Sequence, residues 1–210
     1  MNILSVAEKN ISGDIMKLLF CVLIGYAFGC VQTSYILIKR IANEDIRSKG
    51  SGNAGTMNTL LSFGKTPGVI VLFSDILKTM IPCILCARIF TGIEFNTAIS
   101  FCALGVFVGH CFPFWLGFRG GKGVAIAIAF SFILDIRVFL ISTFIAGIFG
   151  LMLRSATYSS YTFAIMLFVC AASFGYSGSV LVCILIESLL MIYLHIRYNS
   201  VYKYKSHSKS

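Results

Sequence analysis

The chain predicts an all-α integral membrane fold, a compact bundle of transmembrane helices. Two observations carry that expectation. Its residues are 58% hydrophobic and only 12% charged, with a mean hydropathy of +0.90, whereas a soluble domain is about half apolar and roughly a quarter charged. Its apolar residues also gather into runs that approach or exceed the ~20 residues a helix needs to cross a bilayer. A soluble globular domain is excluded on both counts.

The candidate spans, in order, are residues 16–38, 67–88, 97–117, 123–134, 136–153, 158–174 and 178–196. The first begins after a mixed polar segment and is long enough to stay as a span, so no cleavable signal peptide is expected. The apolar stretch after Lys122 is too long for one helix and carries Asp135-Ile136-Arg137 in its middle, so it divides there. Its first half rises only ~17 Å at ~1.5 Å per residue, too little for a straight crossing. Either the glycine-rich loop before it dips into the membrane, or neighbouring residues lengthen the helix.

Charge fixes the expected topology. Residues 39–66 hold Lys39, Arg40, Arg47, Lys49 and Lys65. Residues 118–123 hold Arg119 and Lys122. Arg154 sits at the next junction, and the tail holds Arg197, Lys203, Lys205 and Lys209. Seven spans place all four segments on one side, and six would scatter them. The opposite side receives charge-balanced links: Arg88 with Glu94, Asp135 with Arg137, and an uncharged turn near Ser177. The positive-inside rule then puts the basic side and the C-terminus in the cytoplasm and the N-terminus outside. With no repeat or low-complexity linker, residues 1–210 read as a single domain. The net charge of +9 suits anionic headgroups and phosphorylated substrates, and is equally a topology signal. The eight cysteines lie almost wholly in apolar runs. Cys83 and Cys86 have CxxC spacing without a second pair, so buried reduced thiols are expected rather than a metal site or a disulfide. No metal, no cofactor and no nucleic-acid partner is expected.

Chemistry gathers on the basic side. In Asp45–Asn58, Gly50, Gly52 and Gly55 let backbone N–H groups approach a ligand closely. Ser51, Asn53, Thr56 and Asn58 add hydroxyls and amides, and Arg47 and Lys49 add charge, which is the composition of an anion-binding nest. In the stretch GHCFPFWLGFRGGKGVA, residues 109–125, Gly120, Gly121 and Gly123 allow a tight wrap around Lys122, a point charge suited to phosphate. It is not a Walker loop, since it lacks GxxxxGK[ST], nor a Rossmann fingerprint, since no βαβ unit surrounds it. A helix beginning after it would aim free N–H groups at a bound anion. Asp75 and Lys78, three apart inside an apolar span, either pair with each other or mark a polar site reaching into the bundle. Thr157 and, much later, His195 and Asn199 bring further polar groups to the same face. Two glycine-rich, cation-bearing loops suggest two phosphate groups, and the lipid setting suggests one enclosed site for a phosphorylated polar acceptor and an amphiphilic acyl donor.

These residues resemble the bacterial membrane acyl-phosphate:glycerol-3-phosphate acyltransferases, the PlsY family, over nearly the whole chain. GSGNAG, residues 50–55, is similar to the family's first motif, Asp75 and Lys78 to its DxxK, and residues 109–125 to its second motif almost throughout. The resemblance implies seven spans in the bacterial cytoplasmic membrane, an active site at the cytoplasmic face, and acyl phosphate and glycerol 3-phosphate as substrates. The products would be lysophosphatidic acid and phosphate, the first step of phospholipid synthesis. It implies first-motif roles for Ser51, Asn53 and Asn58, and phosphate binding by His110 and the Gly120–Gly123 loop. Arg154 and Thr157 look like the Arg and Ser of a later motif. Ser51, Lys122 and His195 become the candidate catalytic residues. Arg47, Gly50, Gly52, Lys78, Arg119 and Asn199 join the candidate substrate contacts.

The chain departs from the pattern at three places. Met57 stands where the family has Thr, Leu61 where it has Arg, and His195 and Asn199 are one residue further apart than in the family's H-x-x-N, with no acidic residue following. The expected reaction is attack of the acceptor hydroxyl on the acyl-phosphate carbonyl, with Ser51, Lys122 and backbone N–H groups stabilising oxyanion and departing phosphate. Either His195 or the substrate's own phosphate takes the hydroxyl proton. A degenerate, non-catalytic homologue would fit the departures, and a small membrane transporter is a different-class alternative. A transporter often shows internal repeats and polar groups near the midplane, whereas here no repeat is visible and the polar motifs gather at one face.

Overall fold

The computed structural model describes the backbone of residues 3–207 and the side chains of residues 12–198. Among the described residues every regular element is helical. They are α1 (Ile3–Gly29), α2 (Thr33–Ala42), α3 (Thr56–Phe63), α4 (Lys65–Ile89), α5 (Phe95–Cys111), α6 (Val124–Leu134), α7 (Ile136–Met152), α8 (Ala156–Ser173) and α9 (Gly178–His207). Five stretches are long and apolar enough to cross a membrane: 12–42, 65–89, 95–116, 156–173 and 178–198. Helices α6 and α7 are apolar but shorter.

The bundle has two ends, and side-chain contacts show which connections share each. Lys17 donates to the Thr91 carbonyl at 3.1 Å, and the Tyr176 hydroxyl donates to Asp135 at 3.0 Å. At the other end the Trp115 indole donates to the Cys30 carbonyl at 2.8 Å, and the Tyr198 hydroxyl to the Gly120 carbonyl at 3.1 Å. That second end carries the Arg- and Lys-rich segments.

Two boundaries differ from the sequence reading. The first span is broken: α1 stops at Gly29 and α2 starts at Thr33. Gln32 fills the break, 1% exposed, and donates to both the Gly29 and the His110 carbonyl, at 3.2 and 3.0 Å. The segment before α4 contains a short helix, α3, which sequence alone reads as polar loop. The division after Lys122 falls as expected, because the Asp135 side chain accepts the Arg137 N–H at 2.8 Å and so caps α7. Helix α6 is not lengthened by its neighbours. Instead the loop before it dips along the last turn of α5, with Gly120 N–H donating to the Cys111 carbonyl and Gly121 N–H to the His110 carbonyl, both at 3.0 Å.

The tightest packing in the bundle is the crossing of α1 and α5. Gly25 and Gly29 on α1 face Gly105 and Gly109 on α5. A Cβ at Gly25 would strike the Cys102 carbonyl, and one at Gly29 the Val106 carbonyl. A Cβ at Gly105 would strike Val22, and one at Gly109 would strike Tyr26, again at the carbonyl oxygen. Each helix thus carries G-x-x-x-G, and the backbones touch without intervening side chains. In lipid, where apolar tails do not drive helices together, close backbone contact of this kind supplies the association.

Gly105→Leu should therefore lower the unfolding temperature sharply, by at least the ~1–3 kcal/mol of ordinary overpacking, since backbone is the obstacle. Gly147→Leu on α7, where an added Cβ meets nothing within 4 Å, should be neutral. Thermal unfolding in detergent checks both, and equal melting of the two variants would contradict the crossing.

Candidate active site

Two loops build the polar end. In the first, residues 43–55, Asn58 of α3 acts as the staple. Its amide donates to the Ile46, Lys49 and Asn53 carbonyls, at 3.2, 3.2 and 2.8 Å, and its carbonyl accepts the Ser51 N–H at 3.0 Å. Gly50 sits against it with φ +49°, and a Cβ there would strike the Asn58 oxygen. The Ser51 hydroxyl donates to the Asn53 side-chain oxygen at 2.7 Å. Arg47 pairs with Asp45 at 2.8 Å, and its other guanidinium nitrogen donates to the Leu116 carbonyl at 2.8 Å, so it ties this loop to the second. The Arg47 pairing holds the Asp45 carboxyl below its ordinary pKa, first through the side-chain hydrogen bond.

The second loop, residues 112–123, is stitched to the first by Ala54 N–H donating to the Gly120 carbonyl at 3.1 Å. Gly120, Gly121 and Gly123 answer to packing. A side chain at Gly121 would strike the His110 ring, and one at Gly123 the Phe107 ring. Lys122 is thereby held between two positions that admit nothing larger than hydrogen.

Beneath this loop lies a buried charged network. Lys78 Nζ donates to the Val31 carbonyl at 2.8 Å and to His110 Nδ1 at 2.9 Å, and pairs with Asp75 at 2.8 Å. All three ammonium donors are used. Because His110 Nδ1 accepts, its proton sits on Nε2, on the side facing Gly121. Asp75 is 2% exposed and takes a longer bond from the Thr56 hydroxyl, 3.4 Å. Both sequence readings of Asp75 and Lys78 thus apply: they pair, and the pair reaches into a polar interior.

Two cavities open at this end. The larger, about 600 Å³, is lined by Gly50, Ser51, Asn53, Asn58, Lys122, Thr157 and His195 among the expected residues. Apolar side chains of Leu60, Leu61, Leu72, Val124 and Ile128 complete it. Lys122 is the one cation and Asp75 the one carboxylate among its described lining residues. The smaller, about 230 Å³, is lined by Arg47, Gly52 and Arg119 among the expected residues, and Ser51 belongs to both. Lys78, His110, Gly120, Gly121, Gly123 and Arg154 line neither. Gly120, Gly121 and Gly123 shape the loop itself, Lys78 and His110 lie beneath it, and Arg154 holds the turn between α7 and α8 with φ +47°. The Asn199 side chain lies outside the described residues. Tyr198, which sequence reading passed over, ties α9 to the second loop, and Gln32, also passed over, ties the α1–α2 break to the last turn of α5. The only signal for Gln32 was a polar group inside an apolar run.

A family model described as glycerol-3-phosphate acyltransferase matches residues 19–202. The chain belongs to the glycerol-3-phosphate acyltransferase family. The Aquifex aeolicus glycerol-3-phosphate acyltransferase is 36% identical over 86% of this chain and 92% of its own length. The Endomicrobium trichonymphae protein of the same name is 35% identical over 86% and 89%. Two crystal structures of PlsY (YgiH), an integral membrane glycerol 3-phosphate acyltransferase, share the fold. Its glycerol 3-phosphate form superposes with a TM-score of 0.79 at 32% identity, covering 87% of this chain and 90% of that one. Its lysophosphatidic acid form gives 0.74 at 30% identity, covering 90% and 92%.

Within this family member the departures Met57 and Leu61 fall together. They are four residues apart on α3, both exposed, and both line the larger cavity. Arg47, a nearby cation, does not line that cavity and lies on the other side of the Ser51 loop, in the smaller one. Lys122 thus carries the positive charge of the larger cavity, and burial lowers its pKa from the ordinary 10.5. His195 Nδ1 donates to the Met191 carbonyl at 2.9 Å, which leaves Nε2 unprotonated in the neutral ring.

Removing one member of the Asp75–Lys78 pair strands the other in the core, at a cost of ~3–5 kcal/mol. Asp75→Asn and Lys78→Met should each lower the melting temperature markedly. The double variant should recover much of the loss, because no buried charge is left unpaired. Additive losses in thermal melts would contradict the coupling.

Proposed function

We propose that this chain transfers a fatty acyl group from acyl phosphate to the 1-hydroxyl of glycerol 3-phosphate, releasing lysophosphatidic acid and phosphate. The observation that carries the reading is one cavity with apolar walls for a chain and one confined cation, Lys122, beside Ser51 and His195. The apolar part takes the acyl tail. Lys122 meets the donor phosphate and gains strength as charge builds on the leaving oxygens. Ser51 supports the carbonyl oxygen. The acceptor oxygen forms the new ester bond, the carbonyl–phosphate bond breaks, and the hydroxyl proton passes to His195 Nε2, whose tautomer suits it as base. Phosphate leaves readily, so positioning supplies much of the rate.

We read α6 and α7 as spans alongside the five longer ones, giving seven, with the polar end in the cytoplasm of a bacterium and the N-terminus outside. The grouping of Arg47, Arg119, Lys122, Arg154 and Arg197 at that end supports this orientation.

The purified protein in detergent, given acyl phosphate and glycerol 3-phosphate, should release phosphate. Lys122→Ala should slow release roughly a hundredfold or more while melting like the parent. Since burial lowers the Lys122 pKa, the ammonium is lost as pH rises through a value below 10.5, so the alkaline fall in rate should come earlier than for an exposed lysine. Parent-like turnover in Lys122→Ala would remove it from the chemistry, and no release by the parent would overturn the function.

Orientation has its own check. A reporter fused after Ser210 should read as cytoplasmic, and one inserted near Ser177 as external. The same reading from both would refute seven spans.

A further inference from the structure

The second loop fixes the backbone of Lys122 and leaves its side chain to other contacts. Gly121 and Gly123 admit no Cβ, but a lysine side chain is a flexible four-carbon stem whose ammonium wanders unless something holds it. The usual holder is a carboxylate. Asp75, the carboxylate of the same cavity, is already committed to Lys78 at 2.8 Å. What meets the Lys122 ammonium is an aromatic face. Its Nζ lies 5.7 Å from the centre of the Tyr198 ring, within the ~6 Å over which a cation is drawn to the negative face of an aromatic ring.

Tyr198 is itself anchored at both ends. Its backbone belongs to α9. Its hydroxyl donates to the Gly120 carbonyl at 3.1 Å, and the same carbonyl accepts the Ala54 N–H at 3.1 Å. One oxygen therefore joins α9 to both glycine-rich loops, and it sets the ring beside the residue two places further along the chain. Tyr198 lines the smaller cavity and Lys122 the larger, so the ring meets the lysine from outside the space that Lys122 lines. In sequence Tyr198 stands three residues after His195, where the family's H-x-x-N spacing has Asn, so the contact belongs with this chain's departures.

We propose that Tyr198 is a positioning residue for Lys122: its ring holds the ammonium at the edge of the larger cavity, and its hydroxyl holds the ring. A carboxylate in that place would neutralise the charge and compete with an anionic ligand. A ring attracts the cation through one face and leaves N–H donors of the ammonium able to turn toward an anion. His195, one turn earlier on α9, and Asp75 on α4 are the other titratable groups among the described residues of that cavity. That Lys122 serves turnover rests on the proposed function. That Tyr198 holds it does not, because the ammonium titrates whether or not the protein turns over.

Trace acetylation with acetic anhydride across the alkaline range, read peptide by peptide by mass spectrometry, follows the Lys122 titration in the purified protein in detergent. Phosphate release from acyl phosphate and glycerol 3-phosphate follows its use. The ring contact favours the charged form, so its loss should lower the Lys122 pKa. Tyr198→Leu should lower the titration midpoint by about 0.5–1 pH unit, move the alkaline limb of the rate by the same amount, and slow release about tenfold. Tyr198→Phe keeps the ring and should leave the midpoint at the parent value, with release within about threefold. Melting curves matching the parent establish that each variant is folded. Where Tyr198→Leu melts early, Tyr198→pentafluorophenylalanine takes its place, since fluorine cancels the negative face at nearly constant shape, and its midpoint should fall in the same way. A folded leucine or fluorinated variant whose Lys122 titrates as in the parent overturns the proposal, as does a Tyr198→Phe midpoint that falls as far as that of Tyr198→Leu. A shifted midpoint in a protein that releases no phosphate leaves the positioning role standing while the transferase reading falls, and release by the parent beside an unshifted midpoint does the reverse.

Discussion

The polar end depends on the contact between α1 and α5. Four glycines bring the two backbones together, and the last turn of α5 then lies against the end of α1. The His110 carbonyl in that turn accepts from two directions, the Gln32 amide at 3.0 Å and the Gly121 N–H at 3.0 Å. One atom therefore joins the break after α1 to the loop that carries Lys122. A shift of α5 by the thickness of a methyl group would move both. Interiors packed at this density transmit displacement rather than absorb it.

The buried Asp75–Lys78–His110 network belongs to the same scaffold. A charge pair at this depth is weak evidence for stability, because desolvation offsets most of its attraction. Its value here is geometric. Lys78 reaches the Val31 carbonyl, the His110 ring and Asp75 together, so α4, the α1–α2 break and α5 share one cation. His110 then underlies Gly121, where no larger residue fits. The cation that lines the larger cavity, Lys122, is a different residue on a loop that this network supports.

Much of this was legible from sequence because membrane burial makes polar residues conspicuous. The division at Asp135 was visible as a charge pair inside an apolar run, and the structure uses that Asp as a helix cap. The two glycine-rich loops were visible by composition, and they do meet, through Ala54 and Gly120. The roles inside them were less visible. Asn58 is spent on three backbone carbonyls and Lys78 on three partners, because a donor's targets are set by tertiary contact that spacing does not encode. The G-x-x-x-G pairs at 25–29 and 105–109 were present in the sequence, but glycines are common in apolar segments and their pairing appears only when the helices are set side by side. The expected residues line two cavities that share Ser51, with Arg47 in the smaller one and bonded to the Leu116 carbonyl.

The short α6 has a consequence for where the two halves of the reaction meet. Eleven residues cover ~17 Å at ~1.5 Å per residue, against a hydrocarbon thickness of ~30 Å. The loop before it, held along the last turn of α5 by the Gly120 and Gly121 N–H groups, makes up part of the balance, and under the proposed orientation the polar end would be open to cytoplasmic water beside helices that face lipid. Under the proposed function, a polyol phosphate would then approach from water without shedding its hydration wholesale, and an acyl chain would lie sideways between the helices without leaving hydrocarbon. On that same reading, a solvent boundary lowered locally in this way would let each reactant keep the phase it prefers up to the bond that joins them.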